Sequence, residues 1–101
     1  MIINEVRRCL KSVKHTFHAI KEEFNDNLTA KQIEDALIDG FEVVEDYPDD
    51  PRGHSCLLLI WVKGKPVHIT CAPHEGNLII ITVYVPVDDK WENNFKTRKL
   101  K

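Results

Sequence analysis

The segment from Val67 to Pro86 constrains the fold more than any other part of the sequence. It contains two runs rich in β-branched residues, separated by the cluster HEGN at positions 74–77. β-branched residues favour strands, and a polar cluster containing glycine favours a tight turn between them. The segment is therefore predicted to be a β-hairpin.

The parity of each position in this hairpin, odd or even, predicts which residues pair across it. In positions 67–71 and 79–85 the odd residues are all apolar, whereas the even residues mix polar and apolar groups. A slip by one residue would move every side chain to the other face, so the pairing is expected to keep the two sets apart. His68 is then expected opposite Tyr84, and Thr70 opposite Thr82. The odd face is predicted to be the core, and the even face to carry function.

Helices are expected before the strands. Apolar residues at positions 2, 6, 10, 13, 17, 20 and 24 follow a helical period, which predicts one long amphipathic helix or two, with a weak middle at 12–16. Thr29 and Gln32 form a capping-box pattern that begins a further helix through Asp39, and Gly40 suits its left-handed C-cap. The polar side of the first stretch is basic and is predicted to be a solvated surface or, alternatively, a phosphate-contacting edge; it carries Arg7, Arg8, Lys11, Lys14 and Lys21.

Strands follow the helices. Residues 41–47 are predicted to form a short edge strand, residues 48–53 a loop, and residues 55–62 a central strand that is apolar on both faces. Trp91 and Phe95 are expected to form an amphipathic turn that covers the sheet. The segregation of helices and strands predicts one α+β domain, with N-terminal helices at 2–40 packed on a roughly four-stranded antiparallel sheet at 41–87, and a C-terminal tail at 88–101.

Composition narrows the class of protein. A chain of 101 residues can bury a core without disulfides or metal, and a net charge of −2 argues against a protein that coats nucleic acid. Three widely spaced cysteines are predicted to be reduced and buried. The charged N-terminus is not expected to be a signal peptide, and the apolar run at 56–62 is too short to cross a bilayer. A cytoplasmic location is expected.

Four segments, in this order, resemble the domain-of-unknown-function 4258 family of small bacterial proteins. They are His-Ala at 18–19, TAKQIEDALIDGFEVVEDYPDD at 29–50, PVHITCAP at 66–73 and IITVYVP at 80–86. The resemblance implies a helix-plus-sheet fold similar to RelE-type and MqsR-type toxins. It also implies the toxin of a type II toxin-antitoxin pair, a metal-independent ribonuclease whose antitoxin often carries a zinc-finger domain.

RNA cleavage without a metal needs a base for the 2′-hydroxyl proton, an acid for the leaving 5′-oxygen and positive charge on the phosphate. His68 and Tyr84 are the predicted acid/base pair, His18 is expected to approach the same face, and Arg52 is expected to supply charge. Alternatively, His68 and Tyr84 form an ordinary cross-strand hydrogen-bonded pair. The residues predicted to contact RNA are Lys14, Lys65, Arg98 and Trp61, the last of which is alternatively a core residue.

No metal or other cofactor is predicted. Cys71 and His74 have ligand-like spacing, and His15 and His18 are expected on one helix face, but no second pair of the zinc-knuckle type is present. A second hypothesis remains open, in which the protein is a non-catalytic protein-interaction domain that uses the even face or the acidic stretch at 42–50. The slightly acidic composition favours this alternative.

Overall fold

The computed structural model describes residues 1–100, which form three helices and one five-stranded sheet. The strand order in the sheet is β1-β5-β4-β3-β2. β1 runs parallel to β5, and the other neighbouring strands are antiparallel. The predicted α+β class is confirmed, but the predicted four-stranded antiparallel sheet is corrected to a five-stranded mixed sheet. In chain order the elements are α1 (Ile2–Cys9), β1 (Val13–His15), α2 (Phe17–Asn25), α3 (Ala30–Asp39), β2 (Glu42–Tyr47), β3 (Ser55–Val62), β4 (Lys65–His74) and β5 (Asn77–Tyr84).

The additional strand, β1, lies within the stretch that was predicted to be helical. Val13, Lys14 and His15 pair with residues 78–80 of β5. The break falls in the weak middle of the predicted helix, because Thr16 adopts an extended conformation and caps α2 by accepting a hydrogen bond from the Ala19 backbone N–H. The prediction that all strands follow the helices is therefore wrong.

The break also divides the predicted apolar stripe. Its first part packs into the core, with Ile2 and Val6 buried on α1. Its second part faces solvent, since Phe17, Ile20 and Phe24 on α2 are 89%, 52% and 81% exposed. α2 instead buries Ala19 and Glu23.

The boundaries of α3 and the two tight turns follow local sequence signals. Thr29 and Gln32 make both hydrogen bonds of the predicted capping box. Gly40 ends α3 with φ and ψ both at 149°, a positive φ that favours glycine, although this is not the left-handed conformation that was predicted. In the β4–β5 turn, Glu75 and Gly76 have φ values of 50° and 80°, as a two-residue hairpin turn requires.

The register of the hairpin agrees with the parity prediction only over its first half. His68 pairs with Tyr84 and Thr70 with Thr82, as predicted. A β-bulge follows, so that Cys71 pairs with Ile80, and beyond it the even residues of β5 face the core. Leu78 and Ile80 are fully buried, whereas residues 79 and 81 are only partly buried. The prediction that odd positions form the core throughout β5 is wrong for this reason.

The three helices cover one face of the sheet, here called the helix face. It is defined by the buried residues that share a cluster with the helices. On the strands these are Cys56, Leu58, Ile60, Val62, Val67, Ile69, Cys71, Leu78, Ile80 and Val83. Cys56 and Cys71 lie opposite each other with their sulfurs 3.9 Å apart, and all three cysteines are free and buried, as predicted.

The opposite face, here called the tail face, carries Leu57, Leu59, His68 and Tyr84. The C-terminal segment, residues 86–100, folds over it and buries Trp91 to 2% exposure. Leu57, Leu59 and His68 are consequently buried as well. The expected covering role of residues 91–95 is therefore observed, and this face of the sheet is closed over β3 and β4.

Candidate functional site

His68 is held in the centre of the tail face by contacts on all sides. Its Nε2–H donates to the backbone carbonyl of Phe95 at 2.6 Å, and its ring meets the Trp91 ring edge-to-face at 4.5 Å between centroids. Burial lowers the pKa of His68, although the bond to the Phe95 carbonyl opposes this shift. The ring is accordingly neutral, with its proton on Nε2 and an acceptor at Nδ1.

Tyr84 makes use of that acceptor. Its hydroxyl donates to His68 Nδ1 at 3.0 Å, and the two rings meet edge-to-face. Burial also raises the pKa of Tyr84, which keeps its hydroxyl protonated. The pairing of these two side chains was predicted from parity, and the structure brings them into direct contact.

A cleft of about 370 Å³ opens beside Tyr84. It is formed where the end of β5 meets the C-terminal segment, and it has Tyr84 and Trp91 as its aromatic walls. Lys90 and Arg98 also line it and give it positive charge. Tyr84 thus lies between a fully buried histidine and an open, cationic cleft.

Arg98 is fixed by Glu45, which lies on β2. Its Nε and Nη2 bond the two carboxylate oxygens at 2.7 and 3.0 Å, and its guanidinium lies 4.7 Å from the centroid of Trp91. The bond to Arg98 lowers the pKa of Glu45. Tyr47 also donates to Glu45, and burial together with this bond raises the pKa of Tyr47 to about 12. The ion pair orients Arg98 at the cleft and clamps the C-terminal segment to the sheet.

The other two predicted catalytic residues lie apart from this cleft. His18 is on the exposed side of α2, 3.3 Å from the Glu22 carboxylate. Arg52 is in the loop between β2 and β3, where it makes a two-pronged contact with Asp50. That contact holds the pKa of Asp50 well below its usual range. The structure therefore joins His68 with Tyr84 but joins neither with His18 or Arg52.

The residues predicted to contact RNA also lie in different parts of the structure. Arg98 lies at the cleft, and Trp61 is half-exposed on β3 with its ring edge-to-face against Phe95 at 6.1 Å between centroids. Trp61 is thus neither a core residue nor part of the cleft lining. Lys14 is exposed on β1, and Lys65 is exposed at the start of β4. The cleft's remaining cation, Lys90, was not predicted, because the tail has no periodicity that places it.

A largely buried cluster of one histidine and two glutamates on the helix face was also missed. The His15 Nδ1 lies 2.5 Å from Glu23 Oε2, and its Nε2 lies 2.8 Å from Glu34 Oε2. The side chains of His15 and Glu23 are only 7% and 3% exposed. His15 was predicted to lie on a helix with His18, whereas it belongs to β1, and that error concealed the contact. Within residues 1–100, no group of three or more His, Cys, Asp or Glu side chains is arranged to hold a metal ion.

Comparisons with known proteins identify a family without assigning an activity. None of the helices within residues 1–100 is long and apolar enough to cross a bilayer. No curated protein and no solved structure matches the chain. A family model does match residues 15–85, from the last residue of β1 to the residue after β5, and this span includes His68 and Tyr84. The chain therefore belongs to the domain-of-unknown-function 4258 family.

Proposed function

We propose that this protein is an endoribonuclease that cleaves RNA without a metal ion and acts as the toxin of a toxin-antitoxin pair. One observation carries the proposal: Tyr84, which lines a cationic cleft, donates a hydrogen bond from its hydroxyl to a neutral and fully buried His68. We also propose that the fold, with helices packed on one face of a sheet, resembles that of RelE-type and MqsR-type toxins.

The proposed reaction uses Tyr84 and His68 as a proton relay. The Tyr84 oxygen accepts the proton of an RNA 2′-hydroxyl while its own proton passes to His68 Nδ1. The 2′-oxygen bonds to phosphorus, and the bond to the 5′-oxygen breaks. The imidazolium that forms is stabilised by the Phe95 carbonyl at Nε2 and by the nearby negative charge of Glu45.

In this proposal the two cations of the cleft, Arg98 and Lys90, act on the phosphate group that is cleaved. Arg98, oriented by Glu45, stabilises the negative charge that builds up on the phosphate oxygens. The Lys90 ammonium donates the proton that the leaving 5′-oxygen requires. In this scheme Arg98 takes the place of Arg52 as the source of charge, and His18 has no role.

The test is to incubate the purified protein with a long messenger RNA in excess EDTA and to map new ends by primer extension. Tyr84→Phe keeps the ring and removes only the hydroxyl, so we expect cleavage to fall by about 10²- to 10⁴-fold. His18→Gln is the control, since the scheme gives His18 no role and this variant should still cleave. Cleavage by Tyr84→Phe at the wild-type rate, or none by the wild type, would refute the proposal.

The toxin role has its own test. Expression of the chain alone should arrest bacterial growth, and co-expression of its antitoxin, expected from the adjacent gene, should relieve the arrest. Tyr84→Phe should not arrest growth. Unimpeded growth at high expression of the wild type would argue against a catalytic toxin.

A non-catalytic protein-interaction domain is the second candidate function. The observation that favours it is the exposed apolar stripe of α2, formed by Phe17, Ile20 and Phe24. The acidic stretch at 42–50 is less suitable, because four of its five carboxylates are bound by the chain's own side chains. If this function holds, Phe17→Ser with Phe24→Ser should abolish partner binding in cells, while Tyr84→Phe should leave it intact.

A further inference from the structure

A groove with an apolar floor and a basic rim lies between the end of α1 and the end of α3. It has a volume of about 520 Å³, and Leu10 and Ile38 form its floor. Ile38 is 67% exposed and is therefore accessible to a partner from solvent. The rim consists of Arg7, Arg8 and Lys11.

The rim cations are not neutralised by the chain itself. Among the described residues, none of the three has a carboxylate oxygen within 4 Å. Elsewhere on the surface, Arg52 and Arg98 each have a carboxylate partner. Arg8 and Lys11 also line an adjoining cavity of about 510 Å³ beside the β4–β5 turn, but Glu5 and Glu75 line it too, so the excess of positive charge is confined to the groove.

We propose that this groove binds an acidic, amphipathic segment of a partner protein. Its aliphatic floor matches the apolar side of such a segment, and its three unpaired cations match carboxylates on either side of that apolar stripe. RNA fits less well, because proteins that hold single-stranded RNA combine a basic groove with aromatic rings on which bases stack. No aromatic residue in the described part of the chain lines this groove, and Phe41, which the Arg7 guanidinium covers at 6.0 Å, is only partly exposed.

The groove is separate from the cleft at Tyr84. α1 packs on the helix face of the sheet, against β4 and β5, whereas Tyr84 lies on the tail face. α1 also precedes the residues matched by the family model, which begin at residue 15. A segment bound in this groove would leave the cleft open, so the inference stands independently of the proposed function.

The experiment is a fluorescence-anisotropy titration with a labelled, designed helical peptide. The peptide has leucines at i, i+3 and i+7 flanked by glutamates, and a scrambled peptide of the same composition is the probe control. We expect micromolar binding of the patterned peptide, weakened about tenfold by Arg7→Ser/Arg8→Ser/Lys11→Ser and to a similar degree by Ile38→Asp. The matched control, Lys21→Ser/Lys31→Ser/Lys99→Ser, removes the same charge from exposed positions outside the groove and should bind as the wild type does.

Three results would overturn the inference. These are no binding of the patterned peptide, equal binding of the scrambled peptide, and equal weakening by the matched control, which would indicate nonspecific charge attraction. A labelled single-stranded RNA that bound more tightly than the peptide and was lost with the groove cations would assign the surface to RNA instead. The groove variant should still cleave RNA, so a failure here is distinguishable from failure of the proposed function.

Discussion

His15 offers the sharpest test of the structure, because it joins two acidic residues from different helices. Replacing His15 with leucine keeps a side chain of similar size but removes both ring nitrogens. Glu23, which is 3% exposed and has its carboxyl group 2.5 Å from His15 Nδ1, would then be left as a buried polar group without that partner. Glu34 would be affected much less, because its side chain is 39% exposed and water can replace the contact.

The expected loss of stability follows from the difference in burial between Glu23 and Glu34. Leaving a buried polar group without its hydrogen-bond partner typically costs about 1–3 kcal/mol, a large part of the roughly 5–15 kcal/mol that stabilises a domain of this size. The midpoint of thermal unfolding should fall by at least about 4 °C. In contrast, Glu34→Gln should cost no more than about 1 kcal/mol.

Urea denaturation followed by circular dichroism would measure these changes. The double variant His15→Leu/Glu23→Leu removes the buried carboxyl group together with its partner, so it should recover more than half of the stability lost in His15→Leu. If His15→Leu cost no more than Glu34→Gln, or if the double variant were less stable than either single one, the contact between His15 and Glu23 would not stabilise the fold in this way.

Three further predictions concern other parts of the fold. Because the pKa of His68 is lowered in the folded state, the unfolded chain binds a proton at a higher pH than the folded chain does. Stability should therefore fall as the pH drops below about 6.5. Unfolding measured at several pH values should show that His68→Gln loses less stability at low pH than the wild type does. Ile80→Ala should cost about 2–5 kcal/mol and Ile81→Ala clearly less, because the bulge buries only Ile80 fully; equal costs in denaturant would contradict the observed register. Gly76→Ala should lower the stability measured by thermal unfolding by about 1 kcal/mol. The cause is the positive φ of 80° at this position, since an added Cβ would meet no atom within 4 Å.

Local patterns in the sequence predicted local structure well. The capping box at Thr29, the turn at Glu75-Gly76 and the strand at 55–62 depend on residues close together in the chain, and each is present where expected. The pairing of His68 with Tyr84 was also predictable, because side chains alternate strictly between the faces of a strand.

Features that depend on distant residues were not predictable in this way. The bulge after Thr70 changes the parity of β5, yet β-branched residues continue through it and give no local signal. β1 forms because β5 offers a free edge to residues 13–15, and that edge exists only once the sheet has formed. The cleft at Tyr84 depends on Arg98 reaching Glu45 across 53 residues, and no local period specifies such a contact.

The parallel pairing of β1 has a consequence for the order in which the chain folds. The tight turns at Lys63-Gly64 and Glu75-Gly76 each join two neighbouring antiparallel strands. β3, β4 and β5 can therefore pair with little loss of chain entropy. β1 must instead find β5 across a large loop, with Ser12 bonding Asn77 from 65 positions away. We expect β1 to dock late, after the hairpins have formed, and α2 to settle with it, since Thr16 and Glu22 reach the same strand. The slow step of folding is then the closure of this long loop onto a sheet that is already assembled.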